Sequence, residues 1–367
     1  MLMATKYSIK ENSFRIGCGR YLQGSGIIST VADEVILLGC RKAYVLGGKT
    51  ALSLTREQIE EWISAAGLTA IFHTYLGFCC QDTCAEIMDS DEFKSCDVVI
   101  GVGGGNLMDA AKYCAVLSGK PVINIPTSSA TCAAFTPLSV CYTRDGRTVG
   151  TTHHKIEVNC VIADTAILCK QPVRLLLAGV YDSIAKIYEL RQRMQGISVD
   201  DGDIGLYSSY HMSEFAADFL NERLEACVED TEKGLDSKLV SDAAWVLIAL
   251  TGVISGLARG SNQTAIAHKV YESLRALFPA SVYPFLHGEM VGMGLIVQIA
   301  YNREGDPEQF RARMKRLGMP VRLSDIGVEP TDENLSLLRE KILASTAMAG
   351  TDAEEQARFA EALKLLI

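Results

Sequence analysis

The sequence predicts an α/β N-terminal domain built on a parallel sheet, followed by an all-α C-terminal domain. Three observations predict it. In the first half, short apolar runs alternate with segments of helical periodicity, the pattern of parallel strands joined by crossover helices. One of those runs, CDVVI, passes through three adjacent glycines into a helix-like stretch, GVGGGNLMDAAK at 101–112. From about Gln171 onward the strand pattern stops and long helical segments take over. The division is drawn between residues 168 and 169, giving domains of 1–168 and 169–367.

The elements follow in order. RKAYVLGG (41–48) reads as a strand ending in a turn, EQIEEWISAAG (57–67) as a helix closed by Gly67, and AIFHTYL as a second strand. CDVVIGV, the glycine loop and NLMDAAKYCAVLSG form a strand–loop–helix unit. KPVINIPT is the next strand, stopped by Pro126. In the second half, LLAGVYDSIAKIYELRQRM, MSEFAADFLNERLEACVEDTEKG, SDAAWVLIALTGVISGLARG and TAIAHKVYESLRAL are each long enough for several helical turns. HGEMVGMGLIVQIAYN is apolar on every side and reads as a buried helix. The polar stretch GISVDDGDIG, within 195–205, reads as a loop. A cleft between the two domains is the expected place for chemistry.

Composition narrows the function. Of 367 residues, 48% are hydrophobic and 22% charged, which places the chain among ordinary globular proteins. A net charge of −9 without a long Lys/Arg cluster argues against a nucleic-acid-binding face. The longest apolar run, AAWVLIALTGVISGLA (243–258), is shorter than the roughly 20 residues a membrane span needs, so a core helix is expected. Twelve cysteines without a C-x-x-C pair point to reduced, buried thiols rather than a zinc ribbon. The start MLMATKYSIK lacks the apolar region of a signal peptide, so a cytoplasmic chain is expected.

Two loops carry candidate binding chemistry. Gly103, Gly104 and Gly105 have no side chains to block close approach. Their N–H groups, with the following helix N-terminus, suit a phosphate. The loop is neither a G-x-G-x-x-G fingerprint, since its sixth position is Asn106, nor a P-loop, since G-K-[ST] is missing. The second loop, PTSSATCAAFTPLSVCY (126–142), is dense in hydroxyls: Thr127, Ser128, Ser129, Thr131, Thr136 and Ser139. Taken alone, each is equally a packed or solvated turn; following neighbouring strands, the pair suggests one shared ligand.

Six histidines are present. His153 and His154, in RTVGTTHHKIE, read as surface or hairpin residues, and His73 and His211 suggest no role. His268 (TAIAHKVYE) and His287 (YPFLHGEMVGMG) sit in apolar company on successive helices. Asp182, in AGVYDSIAKIYE, is the best carboxylate. Its bland reading is a surface ion pair with Lys186 at i+4. Two imidazoles and a carboxylate would leave coordination positions open for substrate, as catalytic metal sites require.

In combination these residues resemble the iron-containing alcohol dehydrogenase and glycerol dehydrogenase family, of dehydroquinate-synthase-like fold. The resemblance runs from GRYLQGSGII (19–28) through GVGGGNLMDAAK, VINIPTSSATCAAFTPLSV, AGVYDSIAKIYE, IAHKVYESL and FLHGEMVGMG to RLGMPVRLSDIGV (316–328). It implies a dinucleotide cofactor, NAD or NADP, bound in 1–168, with Gly103, Gly104, Gly105 and Asn106 cradling the pyrophosphate. It further implies that Thr127, Thr136, Leu138 and Tyr142 line the nicotinamide and ribose. Asp182, His268 and His287 match the ligands of one divalent metal, zinc first and iron second. The implied activity is reversible hydride transfer between a small alcohol or 2-hydroxy acid and its ketone or 2-oxo acid, by a homo-oligomer without nucleic-acid or membrane partners.

Departures from the family pattern refine this. Glycerol dehydrogenases have a substrate-contacting Asp where this chain has Cys132, smaller, neutral and a weak hydrogen-bonding partner. The ATCAA-aromatic-TPLSV run resembles the hydroxycarboxylate dehydrogenase branch. Many NAD-preferring relatives carry an Asp at Gly48; here GGKT leaves room for a 2′-phosphate beside Lys49. Relatives often have a second histidine three residues after His268, where this chain has Tyr271. Glycerol dehydrogenase proper is the alternative. A dehydroquinate-synthase-like lyase is a further one, although only Lys112, Lys186 and Lys269 lie near the motifs to hold a phosphorylated sugar.

Overall fold

The computed structural model describes residues 14–195, 203–259 and 263–367. Eight strands are present among them: β1 (Arg20–Gly24), β2 (Lys42–Gly48), β3 (Thr69–Tyr75), β4 (Val98–Gly103), β5 (Val122–Pro126), β6 (Leu138–Tyr142), β7 (Thr148–His153) and β8 (Cys160–Asp164). Six form one sheet in the order β1-β8-β5-β4-β2-β3, every neighbouring pair parallel. β6 and β7 form a separate antiparallel hairpin. After β8 and a short helix, Thr165–Leu168, every regular element among the described residues is helical. The expected loop GISVDDGDIG lies largely outside the described residues.

The strands form where the sequence places them because they are buried on both faces. Alternate residues enter opposite cores: Val45, Ile100 and Ile123 pack under the helices Val31–Leu37 and Lys49–Ala65. Tyr44, Leu46 and Val99 pack with Met108, Ala111 and Cys114 of the helix Gly105–Leu117. The helix expected over 57–67 is longer than its apolar periodicity suggested. It starts at Lys49, directly after Gly48, so the turn after β2 is itself a helix N-terminus.

The sheet order creates a switch point. From β2 the chain crosses to β3 on one side, and from β4 it crosses to β5 on the other, while β2 and β4 are paired neighbours. The connections leaving their carboxyl ends therefore diverge, which opens the crevice where parallel α/β sheets hold ligands. Gly48 and Gly103 end the two strands flanking it.

The helical half surrounds the helix His287–Asn302, which is buried almost throughout, as expected from its apolar faces. The apolar run at 243–258 belongs to a continuous helix, Lys238–Leu257. At 20 residues it is long and apolar enough to cross a membrane by length and composition, but 61% of its apolar window is buried inside the fold. All twelve cysteines are free thiols, and only Cys18 and Cys132 are partly exposed.

Candidate metal and nucleotide site

The nucleotide side is built from the ends of β4 and β5. Gly103 has φ +154°, a conformation that L side chains rarely adopt, and its carbonyl accepts the Thr127 N–H at 3.0 Å. Gly104 caps the helix Gly105–Leu117 without any side-chain hydrogen bond, so no side chain caps the first-turn N–H groups of Gly105 and Asn106. A Cβ on Gly105 would lie 2.8 Å from Thr131 Oγ1, and one on Gly104 would lie 3.6 Å from Ser128 Oγ. The glycine loop and the hydroxyl loop are thus pressed together over one crevice. Asn106 is exposed, Thr127, Leu138 and Tyr142 are half-buried, and Thr136 is buried.

Several hydroxyls expected to face a ligand are used internally. Ser129 exchanges hydrogen bonds with Gln171, whose Oε1 accepts the Ser129 N–H at 2.8 Å. Ser139 Oγ donates to the Asp109 carbonyl and pairs with His154 Nε2, each at 2.7 Å. His154 is accordingly no surface residue: it is 2% exposed, and burial, with Lys112 next, pushes its imidazole down to about 3. The neighbouring His153 is exposed on the hairpin, as expected.

Lys112 fastens these parts. It is fully buried, pairs with Asp109 Oδ1 at 2.9 Å, and donates to the carbonyls of Ala133 (2.6 Å), Thr136 (2.9 Å) and Leu138. Asp109 Oδ2 accepts the Val140 N–H at 3.1 Å. The D-x-x-K step of the glycine-loop helix therefore latches the whole hydroxyl loop, and Lys112 is not available to substrate.

Three helices bring the expected metal ligands together. Asp182 lies on Val173–Arg193, His268 on Ile266–Leu277, and His287 begins His287–Asn302. Asp182 Oδ1 is 3.4 Å from Nε2 of each histidine, and the three ligand atoms lie within 4.8 Å of one another. Bonds of about 2.0–2.1 Å in a tetrahedral site imply ligand atoms about 3.3 Å apart. Glycines permit this approach. A Cβ on Gly288 would lie 1.8 Å from the Ala178 carbonyl oxygen, and one on Gly294 would lie 2.3 Å from that of Ala267. A Cβ on Gly179 would lie 2.1 Å from the Ser129 carbonyl oxygen, which joins the metal-side helix to the hydroxyl loop.

The surroundings fix the ligands. His268 Nδ1 meets Glu189 Oε2 at 2.6 Å, and Glu189 Oε1 accepts the N–H groups of His268 (2.9 Å) and Ala265 (2.7 Å). Burial alone would lower the His268 imidazole, but Glu189 and Asp182 outweigh it and raise it to about 9. Burial likewise would raise Glu189, yet His268 holds it below the usual carboxylate range. Asp182 lies well below that range too, Lys186 and the two histidines outweighing burial. At the mouth of the last helix, Glu289 accepts the Leu286 N–H (2.7 Å) and a two-pronged pair from Arg174 (2.6 and 2.7 Å), which sets the start of the helix at His287.

This donor set fits a divalent cation. Asp182 Oδ1 is buried, has no hydrogen-bond partner, and faces both imidazoles. Glu189 occupies Nδ1 of His268 and leaves Nε2 to bind.

The family model for iron-containing alcohol dehydrogenases matches residues 18–165. The chain is 28% identical over 327 residues to a glycerol dehydrogenase of Thermotoga maritima, covering 88% of this chain and 87% of that protein. It is 28% identical to hydroxycarboxylate dehydrogenase A of Escherichia coli, covering 90% and 89%. Residues 18–165 thus resemble the iron-containing alcohol dehydrogenases, and most of the chain is similar to glycerol and hydroxycarboxylate dehydrogenases. The glycerol dehydrogenase of Schizosaccharomyces pombe has the same fold, with a TM-score of 0.81 at 22% identity over 95% of this chain and 89% of that one. These similarities support a metal-dependent alcohol oxidoreductase, and NAD(P) dependence is typical of the matched family.

Within this dehydrogenase, Cys132 starts a turn in the hydroxyl loop, its carbonyl accepting the N–H groups of Phe135 and Thr136. Burial raises its thiol above the ordinary range, against the opposing charge of Lys186. Tyr142 is half-buried, its ring 5.1 Å from that of Phe78 and under the Arg275 guanidinium at 4.9 Å. Tyr271 stands edge-on to His287 at 4.7 Å. Sequence reasoning missed Glu189, Gln171 and Glu289. The only signal for Glu189 was its spacing, seven residues after Asp182 on one helix face.

Proposed function

We propose that Asp182, His268 and His287 hold one divalent cation, zinc first and iron second. On this reading the enzyme interconverts a small alcohol or 2-hydroxy acid with its ketone or 2-oxo acid, using NAD or NADP. The observation that carries it is the buried Asp182 Oδ1, unpartnered and 3.4 Å from both imidazoles. When bound, the cation supplies Lewis acidity at a carbonyl oxygen and the nicotinamide supplies the hydride.

The chain's own residues do the rest. Glu189 holds the His268 ring so that Nε2 presents its lone pair to the cation. The uncapped N–H groups of Gly105 and Asn106 bind the pyrophosphate, while Gly103 and Gly104 keep side chains out of its path. Thr127, Thr136, Leu138 and Tyr142 line the remaining nucleotide path, on a loop held still by Lys112. Cys132 offers substrate a small neutral surface in place of an acid, which disfavours a polyol such as glycerol. Gly48 ends β2 at the switch point without a carboxylate, and Lys49 is exposed beside it. Nothing there repels a 2′-phosphate, so NADPH is accepted as well as NADH.

The test is oxidation of NADH and NADPH by metal-loaded enzyme against neutral ketones and 2-oxo acids, with zinc or iron added. Metal-dependent turnover of at least one class is expected. No turnover with either metal would overturn the proposal.

A further inference from the structure

The helix Val173–Arg193 carries Asp182, Lys186 and Glu189 at spacings of four and three, so the three side chains share one face. All three are buried, with Lys186 at 4% exposure. Asp182 faces the two imidazoles and Glu189 is saturated by His268 and Ala265. Lys186 has no such partner: among the described residues its ammonium makes no ion pair and no hydrogen bond. The surface ion pair of the bland reading of Asp182 is not formed: both residues are buried and no ion pair joins them, although their charges attract.

The other basic residues near the site are engaged. Lys112 is spent on Asp109 and three carbonyls, and Lys269 pairs with Glu272 at 2.6 Å. Among the described residues near the site, Lys186 is therefore the cation left over, on the helix stripe that carries Asp182 and close enough to Cys132 for its charge to act on that thiol. Burial would strip its proton, but Asp182, Cys132 and Glu189 outweigh burial and keep it charged. A buried ammonium without a partner is costly, and a bound anion removes that cost.

We propose that Lys186 recognises the carboxylate of a 2-oxo or 2-hydroxy acid and so sets the substrate class of this enzyme. The inference rests on the proposed metal-assisted hydride transfer. In a 2-oxo acid the carboxylate is one bond from the reacting carbonyl, so its recognition group must stand beside the group that holds the polarising ion. Lys186, one turn from Asp182, satisfies that requirement. Asp182 and Glu189 cancel the charge of a bound divalent ion. Lys186 then leaves the site one positive charge in excess, complementary to a monoanion.

The test compares 2-oxobutyrate with its neutral methyl ester in the wild type, Lys186→Met and Lys186→Arg. In Lys186→Met the ratio of kcat/KM for acid over ester falls about 100-fold, mainly through KM. Lys186→Arg, which keeps the charge, recovers much of it. Calorimetric titration of oxamate, an unreactive isostere, into the metal- and nucleotide-loaded enzyme weakens in parallel. An equal loss on acid and ester, with oxamate binding unchanged, would overturn the assignment. So would a wild type that reduces neutral ketones but neither reduces 2-oxo acids nor binds oxamate. Metal-dependent ketone reduction in that same sample leaves the parent reading intact, which separates the two failures.

Discussion

Glu189 Oε2 and His268 Nδ1 lie 2.6 Å apart, and the other oxygen of Glu189 accepts the His268 backbone N–H. One carboxylate thus fixes both the ring and the backbone of a proposed metal-ligand residue, from inside a core where it is fully buried. Glu189→Gln keeps the size and loses the charge. Metal affinity is expected to fall by about 10- to 100-fold, as for other outer partners of ligating histidines. Competition against a chromophoric chelator measures it, and an unchanged affinity would remove Glu189 from the site.

The ligand spacing depends on helix contacts that only glycine allows. A Cβ at Gly288 would meet the Ala178 carbonyl oxygen at 1.8 Å, a backbone atom that cannot step aside. Gly288→Ala must push the His287 helix away from the Asp182 helix. The expected cost is about 3 kcal/mol of stability, with loss of bound metal. Gly24→Ala, where a Cβ meets nothing within 4 Å, is the control and should change stability by less than about 0.5 kcal/mol. Chemical denaturation and metal analysis of both variants report the result.

Lys112→Met removes one partner of a buried ion pair and leaves three carbonyls without their donor. A loss of about 3–5 kcal/mol is expected. Because the released segment is the hydroxyl loop, the KM for nicotinamide nucleotide should rise while metal content stays near one per chain. Equal loss of metal and nucleotide binding would point to general unfolding instead of a released latch.

His154 gives the protein an acid-side stability limit. Its folded pKa is depressed to about 3, below the ordinary 6.5, chiefly by burial. The unfolded chain therefore binds a proton that the folded chain refuses as pH falls from 6.5 toward 3. That contribution is fully present above 6.5 and is lost below it by up to about 1.4 kcal/mol per pH unit. His154→Gln should flatten the stability profile across this window. An unaltered slope would mean that His154 is not the titrating group.

Much of this was legible in the sequence. The alternation of strands and helices placed the fold, and the order of Asp182, His268 and His287 picked out three residues that the structure brings together, because each leaves a local pattern. The failures are of another kind. His154 read as a surface or hairpin residue, and Lys186 as half of a surface pair in the bland reading of Asp182, because polar groups in a sequence imply water and only tertiary packing buries them. The bland reading of the Asp182–Lys186 spacing was an exposed ion pair, yet both residues are buried. Ser129 and Ser139 looked like ligand hydroxyls until Gln171 and His154, distant in sequence, were found to occupy them. The longer helix after β2 was missed because its first turn, Lys49–Leu52, precedes the clear apolar periodicity.

The central claim is that three helices hold one catalytic cation. Metal content and NAD(P)H oxidation measured together on chelator-stripped, metal-reconstituted wild type and Asp182→Ala test it most directly. The account predicts one divalent ion per chain and restored turnover in the wild type. The variant should show neither, while still binding nicotinamide nucleotide. An Asp182→Ala protein that retains the ion and turns over would contradict it.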